Sequence, residues 1–167
     1  MADTTTTAPP KQPTAPDAAL LSFAIGLELA MVDLYGRAAV AGGKDVKPVA
    51  ELCGANHRAA AQALSGLVGR KAPTSRNSAF FSEHSKALDD AAKVAEHMAG
   101  LENAMVATHL AVLGQLRGVD GANLVASIIP TQARQAAVLV ALSGKTSLDD
   151  ILALDTEAAI DAEKYPA

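Results

Sequence analysis

Two hexapeptides, LELAMV at 27–32 and LENAMV at 101–106, each set a glutamate into an apolar helical stripe. That repeat constrains the fold more than any other feature of the chain. A carboxylate turned into an apolar core must find a cation, hydrogen bonds or a proton. Helix positions advance about 100° per residue, so Ala24, Met31 and Tyr35 lie within about 60° of Glu28, while Gly26, Asp33 and Arg37 lie on the far side. Around Glu102 the same arithmetic gathers Met98, Met105, Val106 and His109, with Lys93, His97 and Gly100 opposite.

Two further stretches carry polar groups on an apolar face. His57 shares its face with Ala50, Cys53, Ala61, Leu64 and Val68. Gln132 and Gln135 lie with Ile128, Ile129 and Leu139, and Arg134 points out. Each of four helices therefore carries an inward polar group, and the two inward glutamates could share one metal, one water cluster or one proton.

The composition supports helices alone. Of 167 residues, 50% are apolar but only 3% are aromatic, and tryptophan is absent. Alanine, leucine and valine dominate, which favours closely packed helices. No alternating stretch predicts a strand. The net charge is −4, and no basic patch with interleaved aromatics argues for nucleic acid. A single cysteine excludes an intrachain disulfide and fits a reducing compartment. The first residues lack the basic and apolar regions of a secretory signal, and no stretch reaches about 20 apolar residues. The expectation is a cytoplasmic protein with no membrane span.

Residues 1–16, rich in Thr, Pro and Ala, are expected to form a disordered N-terminal tail. Residues 17–145 are expected to form the bundle. Its helices run over about 17–40 with Asp17 as N-cap, from near Pro48 to 68, over about 88–116, and over about 122–142. Pro130 should kink the last helix or delay its start. A short helix is expected within 78–88, where Phe80 and Phe81 either pin the crossover to the bundle or form a contact surface for a partner. Residues 146–167 should form short helices packed on the outside. Short loops join the first and second helices and the third and fourth, whereas about 20 residues join the second and third. That is long enough to cross the length of a bundle.

These residues resemble the ferritin-like superfamily of di-iron carboxylate bundles, in particular bacterial ferritin-like domains. That family places one glutamate on each of two helices and Glu-x-x-His on each of the other two. Glu28 and Glu102 match the single glutamates, and His57 matches the first histidine. The LELAMV and LENAMV repeat resembles the internal two-fold, and IIPTQARQAAVLVAL resembles the fourth helix. The resemblance covers about 18–145 and extends to a short closing segment at 148–165. It implies an all-α, ferritin-like four-helix bundle with a long crossover.

The departures bear on function. Gly54 stands where the resemblance implies a glutamate, and Gln132 and Gln135 replace the second Glu-His pair, so three of six expected ligands remain. Amides are poor ligands for iron or manganese but good partners for buried carboxylates. The expectation is a hydrogen-bonded polar core of Glu28, Glu102, His57, Gln132 and Gln135, with no resident cofactor and no enzyme activity. The alternative is iron or manganese held by Glu28, His57 and Glu102 in an oxidoreductase or iron-handling protein. Cys53, four residues from His57, is a weaker candidate ligand and otherwise a small buried residue. Tyr35 and His109 hold matching positions and are each expected to reach the opposite glutamate. His84 and His97 are expected to be exposed. As partners, the expectation is a second copy, with Ala38, Ala39, Ala59 and Ala60 permitting close approach, or a larger complex in which the chain is an accessory subunit.

Overall fold

The computed structural model describes residues 8–166. Six α-helices follow one another: α1 (Ala15–Ala41), α2 (Gly43–Val68), α3 (Ser78–Ser85), α4 (Val94–Leu113), α5 (Val119–Leu142) and α6 (Leu148–Leu152). No strand occurs among the described residues, as the sequence predicts.

Two apolar clusters fix the helix directions. One holds Leu21 and Ile25 of α1, Leu64 of α2, Val112 of α4, and Val125 and Ile128 of α5. The other holds Leu34 and Ala38 of α1, Val46 and Ala50 of α2, Val94 and Met98 of α4, and Leu139 of α5. Thus α1 and α5 run from the first cluster to the second, and α2 and α4 run back. The hairpins α1–α2 and α4–α5 are antiparallel. Because α2 ends at one end and α4 begins at the other, residues 69–93 must travel the length of the bundle. This is the ferritin-like four-helix arrangement. The inward polar residues fall between the two clusters along every long helix.

The first hairpin is tighter than expected. Only Gly42 separates α1 from α2, and α2 starts five residues before Pro48. Gly43 makes the turn with φ 72°, a left-handed value that costs glycine little. Pro130 neither delays nor ends α5, which runs through it from Val119.

The expected tail over 1–16 divides. Residues 1–7 lie outside the described residues. From Pro10 the chain is tied down: its carbonyl and that of Lys11 accept from Val119 N and Asp120 N, and Gln12 Nε2 donates to Asp120. Thr14, not Asp17, is the N-cap of α1, in a capping box closed by Asp17. Asp17 is buried and accepts from the backbone N–H groups of Thr14, Arg117 and Gly118. Burial acts to raise its pKa, but those donors outweigh it and hold the carboxyl below its usual value. Gly118 has no room for a side chain there. A Cβ would lie 2.7 Å from the Gln12 carbonyl oxygen and 2.9 Å from Pro13 Cα.

The crossover is anchored as Phe80 predicts. That ring is buried, edge-on to Tyr165. Asn77 caps α3 through Phe80 N, donates to the carbonyls of Tyr165 and Pro166, and gives its backbone N–H to Gly26. Gly26, expected on the solvent side of α1, is therefore buried. The closing segment is also held on the bundle by reciprocal bonds between Asn103 and Asp155 and by Ile160 N donating to Thr108.

By length and composition alone, α1 and α5 are each long and apolar enough to cross a membrane. In α1 those apolar residues are the bundle core, whereas α5 buries only one face.

Candidate functional site

The four inward polar groups meet in one buried layer. His57 lies between the two glutamates, with Nδ1 2.6 Å from Glu28 Oε2 and Nε2 2.9 Å from Glu102 Oε1. Two ring nitrogens that each face a carboxylate favour a hydrogen on both, the imidazolium form. Burial alone would lower the pKa of His57, but Glu102 and Glu28 overcome it and raise the value to about 10. Burial would likewise raise Glu28, yet the charge of His57 and the contact with His109 bring it down to about 2.

The repeat in the sequence reappears as a near two-fold in the site. Seven residues beyond Glu28, the Tyr35 hydroxyl donates to Glu102 Oε1. Seven residues beyond Glu102, His109 Nε2 lies 2.9 Å from Glu28 Oε1, without hydrogen-bond alignment. His109 donates through Nδ1 to the Met105 carbonyl. Tyr35 makes the expected hydrogen bond to the opposite glutamate, whereas His109 comes within reach of it without one. Tyr35 also stacks on His57, with ring centroids 5.4 Å apart.

The second and fourth helices break that two-fold. Gln132 Nε2 donates to Glu28 Oε1 at 2.8 Å. The equivalent position on α2 is Gly54, which offers no side chain, and Glu102 Oε2 is buried without a partner. His57 bridges both glutamates, whereas Gln135 reaches neither. Cys53 lies buried beside Gln135 and Tyr35. Burial and the Glu102 charge raise its thiol pKa, which keeps the sulfur protonated.

The residues present do not fit a di-iron centre. The ring nitrogens that would face a metal already face the two carboxylates that would share it. A Cβ at Gly54 would lie 3.2 Å from Tyr35 Cβ, so a side chain there needs the tyrosine to give by a few tenths of an ångström. Gln132 and Gln135 bring no charge. Among the described residues, no group of three or more His, Cys, Asp or Glu side chains is arranged to hold a metal ion.

Sequence reasoning missed two features. His84 and His97, expected to be exposed, are half-buried with ring centroids 5.4 Å apart. The hydrophobic Phe80 beside His84 was the available signal. Ala38, expected at an outer face, is in the core, whereas Ala59 is exposed and Ala39 and Ala60 are half-buried.

No curated protein and no solved structure matches the chain. A family model described as the ferritin-like domain matches residues 16–145. That span takes in all four long helices and every residue of the buried polar layer. With the helix order, the lengthwise crossover and this match in agreement, the chain belongs to the ferritin-like domain family.

Proposed function

We propose that this ferritin-like domain is a non-enzymatic binding module in which a histidinium takes the place of the metals. The observation that supports this is His57, whose two ring nitrogens face Glu28 and Glu102 at 2.6 and 2.9 Å. An imidazolium there supplies the positive charge that the paired carboxylates need, and it leaves them no free ring nitrogen to share with iron. The domain then acts through its surface, by self-association or as an accessory subunit of a larger complex. Support for a surface role comes from α5, where Val119, Val138 and Leu142 are exposed, and from Leu110 on α4. A cytoplasmic setting agrees with the single, unpaired cysteine.

The test is metal content by mass spectrometry, on protein purified without chelator or His-tag and then reloaded anaerobically with Fe(II) and Mn(II). Glu28→Ala is run in parallel. Trace metal in both proteins is the expected result. Stoichiometric metal that disappears in Glu28→Ala overturns the proposal and favours an oxidoreductase or iron-handling protein using Glu28, His57 and Glu102. Native mass measurement of the purified and pulled-down protein separates self-association from an accessory role.

A further inference from the structure

A cavity of about 770 Å³ lies outside the buried layer, between the outer face of α1, Arg58 of α2 and the crossover. Its apolar lining is Val32, Val40 and Ala41 of α1 with Phe81 and Leu88 of the crossover. Leu88 is buried and Phe81 half-buried, so they form the floor, whereas Val40 is 87% exposed. Gly36 also lines it, and nothing lies within 4 Å of the place where its Cβ would stand. Every other lining residue is charged. Arg76 pairs with Asp33, and its guanidinium lies over the Phe81 ring, 3.8 Å from the centroid. Arg37 pairs with Asp89 at 2.7 Å. Arg58 faces the same cavity, yet among the described residues no carboxylate lies within ion-pairing distance of it. Three guanidinium groups stand against two carboxylates, so the lining carries one positive charge in excess. All three arginines are exposed, so their N–H groups are open to an arriving ligand.

We infer that this cavity binds an organic anion with a single carboxylate on an apolar body. A planar guanidinium gives a carboxylate two parallel N–H groups, and Arg58 is the one whose charge nothing offsets. The single excess charge sets the charge of the head. A dianionic phosphate would bring its second charge against Asp33 and Asp89, whose arginine partners are already matched. An ammonium head would meet the excess positive charge, and a neutral head leaves that charge unmatched. The lining offers no hydroxyl or amide side chain to the rest of the ligand, so Val32, Phe81 and Leu88 select an apolar body. The volume falls within the usual range for ligand pockets, roughly 300–1,000 Å³. None of these residues belongs to the buried polar layer, so the inference goes beyond the reading above and does not rest on it.

4-Phenylbutyrate, 4-phenylbutylammonium, 4-phenyl-1-butanol and 4-phenylbutyl phosphate share a body and differ in the head. Acetate is a head without the body. Each is titrated into ¹⁵N-labelled full-length protein at neutral pH while the Gly36 backbone amide and the arginine Nε–H resonances are followed. Phenylbutyrate should shift them saturably and bind roughly tenfold or more tightly than the ammonium, the alcohol and acetate, as expected for a charge-assisted hydrogen bond. The phosphate should bind no more tightly than the carboxylate. Arg58→Gln should weaken phenylbutyrate by roughly tenfold and leave the alcohol unchanged. Gly36→Glu places a competing carboxylate in open space and should abolish phenylbutyrate binding while circular dichroism stays unchanged. The absence of saturable shifts overturns the inference. So does binding of the ammonium, the alcohol or acetate as tight as that of phenylbutyrate, tighter binding of the phosphate, or phenylbutyrate binding that survives both substitutions.

Discussion

Replacing His57 by leucine tests the central contact of the buried layer. Leucine has a similar volume, so packing changes little while the cation is lost. Glu28 then keeps only the His109 and Gln132 contacts, and Glu102 only the Tyr35 hydroxyl. Removing one member of a buried ion pair costs about 3–5 kcal/mol. For a chain of this size each kcal/mol lowers Tm by about 2–4 °C, so the fall should be roughly 6–20 °C. The pH profile is the sharper assay. In the unsubstituted protein the folded pKa of His57 is about 10, above its ordinary 6.5. Its contribution is complete below 6.5 and fades as pH rises to about 10, at up to about 1.4 kcal/mol per unit. Glu28, lowered from 4.5 to about 2, contributes fully above 4.5 and loses that contribution as pH falls towards 2. In His57→Leu the carboxylates are still buried, the charge that most lowers Glu28 is gone and only the His109 contact opposes burial, so the Glu28 pKa rises. Stability should then begin to fall near the ordinary glutamate value of 4.5 rather than near 6.5. Urea denaturation followed by circular dichroism from pH 4 to pH 9 measures both slopes. A loss below about 1 kcal/mol, or a profile that still turns over near 6.5, would refute the imidazolium bridge. Adding Glu28→Gln to His57→Leu should restore part of the lost stability, since an amide needs no cation.

Three other perturbations follow from the geometry. Tyr35→Phe removes the hydroxyl that donates to Glu102 and should cost about 1–3 kcal/mol in urea denaturation. Gly54→Leu forces a side chain against Tyr35 and should cost about 1–3 kcal/mol, in spite of the better helix propensity of leucine. Asp17→Asn should destabilise the protein near pH 7 and make little difference well below pH 3.8, because the lowered folded pKa makes the Asp17 contribution vanish on acidification.

Much of this site was legible because helical periodicity is a strict ruler. The positions of Glu28, Glu102, His57 and Gln132 on apolar faces predicted their meeting, and the seven-residue offset placed Tyr35 and His109 beside the opposite glutamates. What periodicity cannot supply is the pairing across helices. It put His57 inside, but the bridge depends on how far α2 leans towards α1 and α4. It named Gly54 as a missing ligand without showing how closely Tyr35 packs against it. Asp17 was read as a cap because an acidic residue begins the apolar run, yet its carboxylate is claimed by Arg117 and Gly118, 100 residues or more away in sequence. The start of α2 was misplaced because Pro48 is a stronger local signal than the Gly42–Gly43 pair, which the backbone uses for the turn.

The strap formed by residues 10–14 has a kinetic consequence. Its bond from Gln12 to Asp120 closes a loop of 108 residues, and Asp17 closes a similar one onto the α4–α5 connection. Closing so long a loop costs chain entropy before any contact returns it. Each hairpin can form from neighbouring segments alone, so the strap is expected to seat after the transition state has passed. Contacts formed that late act on the rate of leaving the native state rather than the rate of reaching it. Loosening the strap should therefore leave refolding times unchanged and shorten the lifetime of the folded protein, which makes this short N-terminal segment a latch.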